Sequence, residues 1–158
     1  NLTVYVPKHM SVLCKVWIKK LGFKVVEIST TKVIDEGVAI IGELYGPPYE
    51  QALAVNVKNL GLIILVGCSH PGVDKIVAKA TVDLNCEPYA VIGGFHLSGA
   101  SSEKMESIAK NLLESGLRKV YSLHCSGEGF RRLFEEEYPE AYGDGHVGSI
   151  FSFSEMEK

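Results

Sequence analysis

The sequence predicts an α/β chain with mixed sheets, antiparallel strands first and alternating strands and helices after them. Three observations carry this. Residues 24–66 hold a succession of short β-prone runs broken by turn residues, with no helical spacing between them. From about residue 62 onward, apolar runs alternate with stretches of helical spacing, the rhythm of helices laid over a sheet. The chain has 158 residues, 46% hydrophobic and 22% charged, enough for one domain with a core of useful size. No linker, repeat or low-complexity segment divides it, so residues 1–158 read as a single domain.

Leu2 to Val6 reads as a strand stopped by Pro7. Val12, Leu13, Val16 and Trp17 recur at helical spacing, and Gly22 suits the stop of that helix. Lys24 to Ser29 is a strand. Thr31 to Ile34 and Gly37 to Leu44 read as a hairpin around Asp35-Glu36-Gly37. Gln51 to Val57 and Leu62 to Val66 form a second hairpin. Helices are expected over Val73 to Val82, Glu103 to Ser115 and Phe130 to Glu137, with Ser102 opening the second of these. The strands between them are Tyr89 to Ile92 and Lys119 to Leu123, and Val147 to Phe153 is expected to close the sheet.

Composition excludes some functions. A net charge of −3 supplies no basic field to recruit nucleic acid. The longest apolar stretch, Leu60 to Val66, is too short to span a bilayer, and no signal peptide is evident. Four cysteines without a Cys-x-x-Cys pair suit a reducing, cytoplasmic setting. Cys14 and Cys86 read as buried small hydrophobes.

Three strings carry chemistry: Gly67-Cys68-Ser69-His70, Gly93-Gly94-Phe95-His96 and Leu123-His124-Cys125. Each ends an apolar run and delivers an imidazole, a metal ligand, to the end of a strand. The three strand ends are expected to share one edge. His70 and His124 read as metal ligands. His96 reads as a ligand of metal or of a substrate anion, beside the small-residue loop that includes Gly93, Gly94 and Ser98. Structural alternatives stand beside each: helix capping for His70, a loop histidine for His96. Cys68 shares a strand face with His70 if the chain is extended, which leaves a thiolate ligand open. Cys125 points away if its strand continues, and reads as packing. His9 reads as a surface or capping residue, and His146 lies in a turn outside the expected site.

With these strings the chain resembles the metallo-β-lactamase superfamily, over roughly Leu62 to Phe153 and more weakly before that. It is most similar there to metal-dependent hydrolases that include a pterin-linked synthase group. The resemblance implies the C-terminal portion of a four-layer αββα sandwich with a dinuclear site, usually zinc, with manganese or iron as alternatives. It implies His70 as a terminal ligand of one metal and His124 of the other. It also implies a metal-activated water attacking an ester or phosphoryl group of a small anionic substrate, or a pterin-linked condensation.

Two departures stand out. The family's His-x-His-x-Asp-His string is absent, and no acid occupies the strand ending in Gly93-Gly94, where members carry a bridging Asp. Three imidazoles are too few for two metals. An incomplete domain is therefore expected, inactive alone, its exposed apolar sheet costing about 25 cal/mol per Å². A missing N-terminal segment or a second copy would complete it. The alternatives are a non-catalytic assembly module and a metal-free phosphate-binding α/β domain.

Overall fold

A computed structural model describes residues 2–153. Its centre is a six-stranded sheet whose strands lie side by side in chain order. β3 (Lys32–Asp35), β4 (Val38–Tyr45), β5 (Tyr49–Val57) and β6 (Gly61–Val66) pair antiparallel, each with the next. β7 (Pro88–Gly94) and β8 (Lys119–Leu123) then extend the sheet in parallel. Parallel neighbours need crossovers, supplied by α2 (Val73–Leu84) and α3 (Ser102–Glu114). A smaller parallel pair, β1 (Thr3–Pro7) and β2 (Lys24–Ile28), is joined through α1 (Val12–Lys20). A final helix, α4 (Glu128–Glu137), follows β8.

The core lies between the sheet and α2, α3 and α4. Val73, Ile76, Val77 and Ala80 recur at i, i+3, i+4 and i+7, so one stripe of α2 is buried while Lys75, Ala78 and Val82 opposite it are exposed. Ile108, Ala109 and Leu112 do the same on α3. Phe130 and Phe134, one turn apart on α4, are fully buried. Against them the strands turn Leu62, Ile64, Val91 and Val120. The intervening Ile63 and Ala90 face the other side and pack with Tyr89 and Phe153. Apolar residues on both faces explain the unbroken apolar runs of β6 and β7.

Three expectations need correction. Val147 to Phe153 forms no strand: Val147 and Ile150 are 101% and 91% exposed. The β8 edge is met instead by the Ala141–Gly143 backbone, with Val120 N donating to Ala141 O at 2.8 Å and Gly143 N to Val120 O at 3.1 Å. Ser101 rather than Ser102 caps α3, its hydroxyl accepting from Lys104 N at 3.3 Å. Cys14 is exposed and Cys86 half-buried, because α1 has no buried residue and Cys86 lies in the turn after α2. The helix expected from Val12, Leu13, Val16 and Trp17 forms as α1, and its apolar stripe is open, with Leu13 and Trp17 at 73% and 70% exposure. Among the described residues no helix is long and apolar enough to cross a membrane.

Candidate metal centre at the strand ends

The parallel half of the sheet aligns three strand ends. Val66 pairs with Gly93, and Gly94 pairs with Leu123. Past the last pairs, Gly94 N still donates to Gly67 O at 2.8 Å. This closeness requires glycine. A Cβ on Gly94 would sit 2.7 Å from Gly67 O and 2.8 Å from Cys125 Sγ. Beyond the strands the chain turns through left-handed residues, with φ of 60° at Ser69, 51° at His96 and 47° at His124. Such angles are uncommon for residues other than glycine and are found at sites that must re-aim a side chain.

His70 is anchored from an unexpected direction. Its Nδ1 contacts Glu50 Oε1, while Glu50 Oε2 accepts the Ser69 backbone N–H at 2.7 Å. Glu50 lies near the start of β5, just past the β4–β5 hairpin tip. The tip presses on the same loop, so closely that a Cβ on Gly46 would be 2.2 Å from Pro71 N. The rings of His70 and His96 lie 4.1 Å apart, tilted by 48°. His70 is half-buried and His96 exposed.

A second group forms across the sheet end. One donor atom each from Cys68, His124 and Cys125 lies within 4.8 Å of the others, the one such triad of metal-ligating side chains among the described residues. Cys125 joins it because β8 does not continue. The chain winds into a 3₁₀ turn at His124–Ser126, which cancels strand alternation. Its Sγ donates to Cys68 O at 3.6 Å. Burial first, then the hydrogen bond and charge of Cys125, push the Cys68 thiol above its ordinary pKa. Ser126 locks the turn: its hydroxyl donates to Leu123 O at 2.6 Å and accepts from Phe95 N at 3.1 Å.

The expected histidines thus reach one end of the sheet in two groups, His70 with His96 and His124 with the two thiols. The three imidazoles themselves do not form a tight triad. Gly93 and Gly94 serve strand packing, and Ser98 is exposed with its N–H on Cys125 O at 3.2 Å. His9 is exposed, as expected of a surface residue; Glu43 takes its backbone N–H at 2.9 Å and its Nδ1 at 2.5 Å, and its ring stacks on Tyr49. His146 contacts Ser149 Oγ within its own turn, at 3.0 Å. Glu50 carried no sequence signal, being 20 residues before its partner.

Two thiols and an imidazole make a donor set suited to a borderline or soft ion such as zinc. The mixed sheet and its helical cover resemble the fold of a solved protein of the β-lactamase superfamily. Over 87% of its length the chain matches the crystal structure of Tm1679, described as a metal-dependent hydrolase of the β-lactamase superfamily, with a TM-score of 0.78 and 26% identity, covering 62% of that chain. In sequence it is 41% identical over 105 residues to the 7,8-dihydropterin-6-methyl-4-(β-D-ribofuranosyl)-aminobenzene-5′-phosphate synthase of Methanocaldococcus jannaschii. That match takes in 66% of this chain and 35% of the synthase, so the chain spans about a third of the curated relative's length. No family model matches the sequence.

Proposed function

We propose that the chain contributes part of the metal centre of a hydrolase- or transferase-type enzyme. The reaction is a metal-dependent hydrolysis of an ester or phosphoryl substrate, or a condensation of the kind named for the archaeal synthase. The observation that carries this is the Cys68–His124–Cys125 group, with donor atoms within 4.8 Å, at the strand end that also presents His70 and His96. When bound, a divalent ion there supplies Lewis acidity. The thiol donors favour zinc or iron over manganese, which prefers oxygen.

The chain's own residues prepare the site. A carboxylate only accepts hydrogen bonds, so the Glu50 contact places the His70 proton on Nδ1 and leaves Nε2 as a free lone pair. His96, held beside it in left-handed backbone, presents a second imidazole toward the same opening. Cys68 and Cys125 must shed protons on ion capture, as thiol ligands do.

The open apolar face of α1 suits a domain completed by further polypeptide, a preceding segment or a second copy. Cobalt titration of the purified chain tests the metal reading. We expect saturable binding with thiolate-to-cobalt absorption, lost in Cys68→Ala and His124→Ala. A chain that takes up neither cobalt nor zinc at saturating concentration refutes it.

A further inference from the structure

The Cys68 and Cys125 thiols meet across a strand that should keep them apart. Cys68 lies two residues past the end of β6 and Cys125 two past the end of β8, and β7 runs between those strands. Strands two apart in a sheet are roughly 9.6 Å from each other. The intervening strand ends in Gly94, and the thiols use the gap this leaves. A Cβ there would lie 2.8 Å from Cys125 Sγ and 3.4 Å from Cys68 Cα. The two sulfur atoms lie within 4.8 Å of each other, and Cys125 Sγ reaches Cys68 O at 3.6 Å.

Backbone contacts hold both cysteines in place. Leu97 N and Ser98 N each donate to Cys125 O at 3.2 Å, and Glu50 Oε2 takes the N–H of Ser69, next to Cys68, at 2.7 Å. Both cysteines are half-buried, open enough for a small reagent. The other two lie elsewhere: Cys86 Sγ faces oxygens, Asn56 Oδ1 at 3.6 Å and Glu87 O at 3.9 Å, and Cys14 is exposed on α1.

We propose that Cys68 and Cys125 form a reversible disulfide that excludes the metal ion, so that the centre responds to oxidants. The side chains turn about Cα–Cβ to close a gap of at most 4.8 Å to the bonded length of about 2.05 Å. The oxidant is a small-molecule disulfide. One protein thiolate attacks a sulfur of the reagent, breaking its S–S bond and releasing one thiol. The second protein thiolate attacks the mixed disulfide, releases the second thiol and closes the protein bond. The two protein thiols give up two electrons, the reagent is reduced to two thiols, and these take the two protons. The oxidised sulfurs no longer bind metal, and His124 alone is too few donors for an ion. A bound ion in turn occupies the sulfurs and blocks the attack. In a reducing compartment such a bond is transient, which suits a switch rather than a structural cross-link. The exclusion of metal rests on the metal-centre reading; the bond itself does not.

The test uses the whole chain, reduced and stripped of metal, equilibrated with oxidised and reduced glutathione and then trapped with iodoacetamide. Peptide mass mapping should join the Cys68 and Cys125 peptides at a mass two hydrogens below their sum, while Cys14 and Cys86 carry acetamide or glutathione. Saturating zinc should slow the cross-link about tenfold or more, because the attacking sulfurs are occupied. The oxidised chain should bind zinc more than about 100-fold more weakly, a larger loss than that of a supporting contact, and dithiothreitol should restore it. His124→Ala should still form the cross-link, with the protection by zinc lost. Cys68→Ser should leave Cys125 as a glutathione adduct. An unlinked pair at glutathione ratios that modify Cys14, or a cross-link between other cysteines, overturns the proposal. So does equal zinc affinity in the oxidised and reduced chains. A reduced chain that takes up no zinc overturns the metal-centre reading and the exclusion with it, whereas the peptide map decides the bond by itself.

Discussion

Glu50 grips His70 and the backbone beside it at once, one carboxylate oxygen on Nδ1 and the other on the Ser69 N–H at 2.7 Å. A strand of the antiparallel half thereby orients an imidazole delivered by the parallel half. Replacing Glu50 with Gln frees the ring to change tautomer. Affinity for zinc should fall about 10–100-fold, the usual cost of losing such a support. Competition with a chromophoric chelator reads the affinity, and an unchanged circular dichroism spectrum shows the fold is kept. Undiminished affinity would mean that His70 binds no metal.

Gly94→Ala places a methyl group against Gly67 O and Cys125 Sγ, both within 2.8 Å. Because one contact is backbone, the strand ends must separate. We expect a loss of about 1–3 kcal/mol, typical of overpacking, measured by urea denaturation. Metal uptake should weaken with it, since Cys125 is displaced.

Asp83 gives a pH signature. Burial pushes its pKa up, but hydrogen bonds from Lys79, at 2.7 Å, and Thr31 outweigh this and hold it below the ordinary value. A lowered folded-state pKa stabilises above the unfolded value, about 3.9, and the gain is lost as pH falls through the folded value. Asp83→Asn should therefore cost about 0.5–1 kcal/mol at neutral pH, a modest figure for a partly exposed pair. The gap to the parent protein should narrow below about pH 4. A gap that stays constant down to pH 2 would show that the carboxylate is not the cause.

Trp17 is the one tryptophan of the sequence and is 70% exposed on α1. Its emission therefore reports whether that helix is covered. The isolated chain at high dilution should emit as a solvent-exposed indole, open to acrylamide quenching. Added concentration or a completing segment should shift the emission to the blue and reduce quenching. Identical spectra under all these conditions would argue that α1 stays bare.

Much of the fold was legible where pattern and packing agree. The stripe Val73, Ile76, Val77 and Ala80 both marks α2 and is buried. The stripe on α1 has the same spacing but no core to meet, because periodicity records a helix's shape and not its neighbour. The last expected strand failed for a related reason: Val147 and Ile150 have strand propensity but no pairing edge. At the sheet end, the positions of His70, His96 and His124 could be read from their strand ends. Cys125 could not, since its direction depends on a turn that overrides alternation. Glu50 could not either, since a contact between β5 and the loop after β6 leaves no local mark.

Ser69, His96 and His124 all hold left-handed backbone, at roughly 1 kcal/mol or more each. Glycine at Ser69 or His96 would relieve that tension, and the chain would melt later for it. It would also let two corners of the rim wander. The protein has traded ruggedness for aim, and screens that reward heat resistance alone would select against the placement of these side chains.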